Sequence, residues 1–427
     1  MKLIIHNPII TTEKVSVDYS FNEERFWGEF SPPADIPTND PVVKVVSNWL
    51  AIIYSTLLFN VEYFDEIVTD FELSSDEVSF FEKTIDNGMA EFRYVNNIPI
   101  STHVNIMPAR IRVDEPLIPE KGFIGRLLMN GGGKDGLTSA LLLNRAGIEF
   151  DLYQRGDDLP QQRSADILHK TPHILKRRLI VDAINKKYKG HKPSSAVFAI
   201  TAAFSAYLLG KKDIITSNET SANESNLIVD GVEINHQYTK TIEFEKDFSE
   251  LLSKNGMGIR YFSLLRPLHE LQIVKIFSEQ PDFYNSFVSC NKASSSGLWC
   301  MKCAKCAFMV LAFNAIAPDM AKKVFSIDNS INSPALQGYI LSLVDPKLTK
   351  PFECVGTLQE CQIAAKLILD NPDIELSEQM RQSFSEHSKN ITDDVINAFM
   401  QHLQTDHNIP AEYSQVIQLM QSILSKS

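Results

Sequence analysis

Positive charge is scarce in this chain: 41 lysines and arginines stand against 53 aspartates and glutamates, a formal net charge of −12. Nucleic-acid binders carry a basic balance or a basic stripe, so this deficit argues against one. Any anionic substrate must instead meet a local cluster of cations. Long apolar runs are also missing. Stretches such as AVFAITAAFSAYLL at 196–209 fall short of the roughly 18–20 residues that a helix needs to cross a bilayer. The opening MKLIIHNPIITTEKV lacks the charged start, apolar core and cleavage site of an export signal. A cytoplasmic chain with no membrane partner is the expectation. Cysteine is sparse too, with 6 in 427 residues, and without an export signal a disulfide framework is not expected.

What is present is enough apolar residue, 44% of the chain, to bury two or three domain cores. KVSVDYSF and RFWGEF alternate apolar and polar residues before the Pro-rich SPPADIP, the pattern of an antiparallel hairpin. Helical spacing follows at 41–58 and at 75–87, the latter after the cap-like SSDE. These form an expected α+β domain over 1–115. The prolines of MPARIRVDEPLIPEKG at 107–122 mark the boundary. Beyond it, FIGRLLM and IEFDLY read as strands flanking the helical LTSALLLNRAG. A long apolar helix at 194–209 ending at Gly210, a strand DIITS, and helices near 245–254 and 267–279 continue the alternation. Alternating strands and helices predict an α/β fold with a doubly wound parallel sheet over 120–317. From 318 to 427 the chain reads as mostly helical and poor in chemical groups of interest.

A glycine-rich loop follows the first of those strands. MNGGGKDGLTSALLL at 129–143 satisfies the dinucleotide pattern G-x-G-x-x-G, with Asp151 or Asp157 near the distance of a ribose-binding acid. Lys134 and Asp135 occupy loop positions where dinucleotide loops carry small or apolar residues, and the G-x-x-x-x-G-K-[ST] pattern of P-loop NTPases is absent. The setting, a strand end leading into a helix, nonetheless presents backbone N–H groups to an anion.

Four cysteines crowd together while Cys354 and Cys361 stand apart. Cys290, Cys300, Cys303 and Cys306 are spaced C-x9-C-x2-C-x2-C, which suits a closed tetrahedral zinc site. An iron–sulfur cluster would use the same ligands.

NGGGKDG resembles the S-G-G-x-D-S loop of PP-loop ATP pyrophosphatases, with Gly136 replacing the closing serine. A cysteine cluster like this one also occurs in 7-cyano-7-deazaguanine synthases, which are PP-loop enzymes. Taken in order, GGGKDG, KGHKP, SNETSA, NHQYTK, YFSLLRPL and SCNKASSSGLWCMKCAKC are similar to the motifs of one family, the ATP-dependent UDP-N-acetylmuramoyl-L-alanyl-L-glutamate epimerases of bacterial wall synthesis. The resemblance spans most of 120–315, and VDYSFNEERFWGEF is similar to the family's opening.

The resemblance implies a PP-loop fold and an isomerase that inverts the terminal L-glutamate of a nucleotide-sugar peptide, converting ATP to AMP and pyrophosphate with Mg2+, beside a structural Zn2+. It implies ATP binding by Asn130, Gly131, Gly132, Gly133, Lys134, Asp135, Gly136, Asn218 and Glu219. Lys134 would neutralise pyrophosphate and Asp135 would help place Mg2+. Lys192, Ser221, Asn235, Gln237, Lys240 and Arg266 are candidates for holding the substrate. His236, then His191, are candidates for the base at the α-carbon, since neutral imidazole accepts a proton near pH 7. The hydroxyl missing at Gly136 has Thr138 and Ser139 as possible substitutes. Two alternatives share loop and cluster: an adenylating ligase or amidase of the deazaguanine synthase kind, and a degenerate nucleotide-binding protein.

Overall fold

The computed structural model describes residues 1–113, 122–179, 187–327 and 329–426. The boundary expected near 115–120 falls outside the described residues. The hairpin forms as the alternation requires: Val15–Phe21 pairs antiparallel with Glu24–Ser31, Asp18 opposite Trp27, and Val15, Val17, Tyr19 and Phe21 point into the core. This hairpin belongs to a mixed seven-stranded sheet ordered Lys176–Leu179, Glu24–Ser31, Val15–Phe21, Lys2–Ile5, Glu66–Thr69, Asn105–Pro108, with Ile9–Ile10 at the side.

Helix Pro41–Ser55 packs under that sheet. Asp40 caps it, its carboxylate accepting from Val42 N at 2.9 Å, and Pro41 fills the first turn where no donor is needed. With the 3-10 turn Thr56–Asn60 it makes a 20-residue segment apolar enough by length and composition to cross a membrane. The sequence reading expects no apolar run of that length and takes 41–58 only as a helix. The segment is 89% buried inside the structure, with Trp49 Nε1 donating to Glu77 at 2.8 Å. Helix Ser75–Gly88 begins on the expected cap, Ser74 and Glu77 forming a reciprocal box.

The second sheet positions the site. It is wholly parallel and ordered His173–Ile174, Asp151–Gln154, Arg126–Met129, Asp213–Thr216, Arg260–Ser263, so the strand order reverses between Arg126–Met129 and Asp213–Thr216. Open parallel sheets bind ligands beyond the carboxyl ends of their strands at such a reversal. Helices Lys134–Arg145, Ser194–Leu208, Ile242–Lys254 and Glu270–Ser278 alternate with these strands. The last two start slightly off the sequence expectation because Thr241 caps Phe244 N and His269 forms a box with Gln272. The chain also crosses between sheets: Lys176–Leu179, just after the edge strand His173–Ile174, pairs with Glu24–Ser31 of the first. The C-terminal region is helical as expected, wrapped around the buried helix Ala304–Ile316.

Candidate active site

Beyond the carboxyl ends of Arg126–Met129 and Asp213–Thr216 lies a cavity of about 330 Å3. The glycine loop forms one wall through Gly131, Gly133, Asp135 and Gly136. Asn130 shapes the loop by accepting Gly132 N at 3.0 Å and donating to Ser164 at 2.7 Å. Gly132 has φ +76, and a Cβ there would sit 2.7 Å from Pro160, so only glycine closes this turn. A Cβ at Gly131 would meet nothing within 4 Å, so the backbone there is open to a ligand. Helix Lys134–Arg145 starts at Gly133 without a side-chain cap of its own; Ser289 Oγ, from the SCN motif, accepts from Lys134 N at 3.5 Å. The positive end of this helix therefore faces the cavity.

The opposite wall combines Ser217 and Asn218, which follow the switch-point strand, with Lys240, Ser289, Cys290, Asn291, Lys305 and Cys354. Lys240 and Lys305 are the cations that line it. Lys134 does not: it is fully buried, its ammonium held by Asp135 and Glu270. Burial works against its charge, but the two carboxylates outweigh burial and raise its pKa. Carboxylate oxygens of Asp135, Glu219 and Glu270 lie within 4.8 Å of one another. Burial, then the charge of Glu270, raises Glu219, while Lys134 and Lys305 overcome burial and hold Glu270 low. Glu219 Oε1 is buried without a hydrogen-bond partner. This oxygen-rich set with one orphaned acceptor suits a hard divalent cation.

Several residues expected to bind substrate have other positions. Arg266 is fully buried; it pairs with Glu245 at 2.9 Å and donates to the carbonyls of Glu219 at 2.8 Å and Lys240 at 2.7 Å. Its fork holds the two site-bearing segments together and cannot reach the cavity. Ser221 donates to Glu360 at 2.7 Å. Asn235 closes its own turn, accepting Gln237 N at 2.7 Å and donating to Ala222 O at 3.0 Å, while Gln237 is buried beneath it. Arg266, Ser221 and Asn235 are spent on bracing, while Gln237 Oε1 is buried without a hydrogen-bond partner. Thr138 and Ser139 do not replace a hydroxyl at Gly136 either: Thr138 bonds Lys134 O at 2.9 Å and Ser139 bonds Ser217 at 2.7 Å.

The two histidine rings lie against each other, tilted by 44° with centroids 4.2 Å apart, behind the cavity wall and not on it. Glu91 holds His236 Nδ1. Against the effect of burial, hydrogen bonds to Cys354 and Glu91 push His236 up to about 9, whereas burial and the charge of His236 keep His191 well below the usual range. His191 and Lys192 instead line a second cavity of about 300 Å3 with Arg155, Arg177, Tyr54 and Ser194. The first turn of helix Ser194–Leu208 separates the two cavities, Ser195 and Phe198 facing the central one.

Cys354 is not among the residues the sequence points to, and the region carrying it reads as chemically plain. It comes from a loop 114 residues beyond Lys240 in sequence, whose ammonium approaches its sulfur at 3.3 Å. Nothing in PFECVGT signals this. Lys305, inside the CAKC motif, and Glu270, closing YFSLLRPLHE, lie within reach of motif reading but carry no pattern of their own.

The four clustered cysteines do converge. Their sulfurs lie within 4.8 Å of one another, with Cys300 and Cys306 at 3.7 Å. Tetrahedral zinc with Zn–S near 2.3 Å requires sulfurs about 3.8 Å apart, so the donor set fits. Cys303 also caps helix Ala304–Ile316, accepting from Cys306 N. Cys290 ties this cluster to the cavity wall.

A family model described as the MurL N-terminal domain matches residues 9–264, and one described as the MurL C-terminal domain matches 286–398. A curated UDP-N-acetyl-alpha-D-muramoyl-L-alanyl-L-glutamate epimerase from Salinispora tropica is 29% identical over 398 residues, spanning 84% of this chain and 82% of its own length. Proteins of the same name from Micromonospora sp. and Xanthomonas oryzae pv. oryzae are each 27% identical, over 84% and 73% of this chain and 85% and 73% of their own lengths. The chain thus belongs to the MurL family and, with it, to the isomerase class of enzymes.

Proposed function

We propose that the chain epimerises the terminal glutamate of UDP-N-acetylmuramoyl-L-alanyl-L-glutamate through an acyl adenylate, converting ATP to AMP and pyrophosphate, in a PP-loop fold and in the cytoplasm. The observation that carries this reading is the cavity at the strand reversal, where glycine-loop backbone, an open helix N-terminus and two lysines converge. ATP is needed because the α-proton beside an ionised carboxylate is held too tightly for a side-chain base. Carboxylate attack on the α-phosphorus of ATP, with pyrophosphate leaving, forms a mixed anhydride with AMP; this removes the negative charge and lets the carbanion delocalise as an enolate. Deprotonation, reprotonation from the other face and hydrolysis then complete the inversion.

In this reading Gly131 and Gly133 present backbone to the triphosphate, and Lys240 and Lys305 stabilise charge on the departing pyrophosphate. Asp135, Glu219 and Glu270 hold Mg2+, which supplies charge neutralisation. Asn218 orients the nucleotide. The four thiols hold zinc as a structural clamp on the SCN segment. The basic second cavity takes the diphosphate of the UDP group, with Lys192, Arg155 and Arg177 as its ligands.

Incubation of the protein with ATP, Mg2+ and the L-glutamyl substrate tests the reading. D-glutamate should appear only with ATP, and AMP, not ADP, should accompany it. AMP without D-glutamate would favour an amidase or ligase instead.

A further inference from the structure

Resting on that reaction, we propose that Cys354 is the group that exchanges a proton with the substrate's α-carbon, and that His236 and Glu91 are positioning residues behind it. Cys354 lines the central cavity together with Gly133, Asp135 and Lys240; His236 and His191 do not. A base must reach the carbon it deprotonates, and among these three only the thiol lines the cavity.

The sulfur is held from several sides. Lys240 Nζ lies at 3.3 Å. Glu91 occupies Nδ1 of His236, and this imidazole together with Lys240 lowers the pKa of the Cys354 thiol. A carboxylate-held imidazole and an ammonium thus stand beside a thiol that lines the cavity, surroundings that activate a thiol. The loop bearing Cys354 is fixed in place: Asn226 donates to Pro351 O at 2.9 Å, Lys350 pairs with Glu224 at 3.0 Å, Glu353 accepts from Asn291, and Val355 is fully buried.

The charged groups facing the sulfur are Lys240, His236, Lys305 and Glu353, with Glu91 and His191 behind the imidazole. Burial raises a thiol pKa, but Lys240 and His236 outweigh it and bring Cys354 down to about 5. Cys361, seven positions on, shows the contrast: burial and the charge of Glu360 outweigh Lys350 and push it well above the ordinary range. Lys240 and His236 thus favour the thiolate form of Cys354, whereas burial favours the neutral thiol of Cys361.

In the step itself the thiolate sulfur takes the α-hydrogen as a proton, and the C–H electron pair moves onto the acyl oxygen of the adenylate as an enolate. Water in the open cavity returns a proton to the opposite face, and the thiol gives its own proton back to solvent. Thiol and hydroxide balance, and no oxidant or reductant is involved.

The test uses full-length protein in deuterated water with the L-glutamyl substrate, Mg2+ and ATP. C354A and C354S should retain ATP–pyrophosphate exchange while losing α-hydrogen exchange and inversion by at least ~100-fold. Inversion at the unaltered rate in either variant overturns the proposal. Absence of ATP–pyrophosphate exchange in the unaltered protein would instead overturn the adenylation reading, so the two failures are distinct. For His236, the readout is the pH dependence of Cys354 alkylation by iodoacetamide, located by peptide mapping. The unaltered protein should alkylate Cys354 with a midpoint near 5, and H236N should move the midpoint up by at least one pH unit. The same midpoint in both proteins overturns the positioning role, and a midpoint near that of a free thiol in the unaltered protein overturns the thiolate even if the Cys354 variants fail to fold.

Discussion

Gly136 sits in the first turn of the loop helix and faces the cavity, at an ordinary backbone conformation. A Cβ there would meet Asn130 Oδ1 at 3.5 Å and Met129 O at 3.7 Å, both ordinary contacts. Serine is therefore tolerated, and its hydroxyl would point where phosphate is proposed to lie. G136S should fold normally and bind ATP about ten- to a hundredfold more tightly, since a hydrogen bond to a charged group contributes about 1.5–3 kcal/mol. Unchanged ATP affinity by calorimetry would show that phosphate does not approach this position. Arg266 behaves oppositely, because its charge is fully buried against Glu245. R266M should cost about 3–5 kcal/mol of stability in urea unfolding, because it strands a buried carboxylate. A raised substrate KM at unaltered stability would instead return Arg266 to the substrate site.

The elements were legible where local chemistry decides them. The hairpin followed from alternation, helix Ser75–Gly88 from its SSDE cap, and the strand–loop–helix unit from glycines between apolar runs. The four cysteines were legible because their spacing is itself a ligand pattern. What stayed hidden depends on which distant segments meet. KGHKP and NHQYTK do meet, yet their histidines pack against each other behind the wall, and the wall itself is completed by a loop from the helical C-terminal region. No periodicity encodes that contact. The SCN segment joins the thiol cluster to the glycine loop through Cys290 and Ser289. As-purified protein should accordingly contain one zinc per chain, and C300S should lose it, lower thermal stability and raise the KM for ATP. Full metal loss with unchanged ATP kinetics would separate the clamp from the cavity.

Across the whole molecule, each part supplies the centre with something. The N-terminal portion gives Glu91, the parallel sheet gives the glycine loop, the turn before helix Ile242–Lys254 gives Lys240, and the C-terminal portion gives Cys354. The two cavities lie on either side of the first turn of helix Ser194–Leu208, which suits a long substrate whose glutamyl end and diphosphate are far apart. R155A and R177A should each raise the KM for the UDP-linked substrate by about tenfold while leaving the KM for ATP alone. Equal effects on both would place the diphosphate elsewhere.

Acyl adenylation is the central claim, and the fate of one oxygen tests it. Substrate carrying heavy oxygen in the α-carboxylate of its L-glutamate is turned over with ATP in ordinary water, and the AMP is analysed by mass spectrometry. Carboxylate attack on the α-phosphorus followed by water attack on the acyl carbon transfers one labelled oxygen to AMP, and the account predicts that label. Unlabelled AMP accompanying D-glutamate would contradict it.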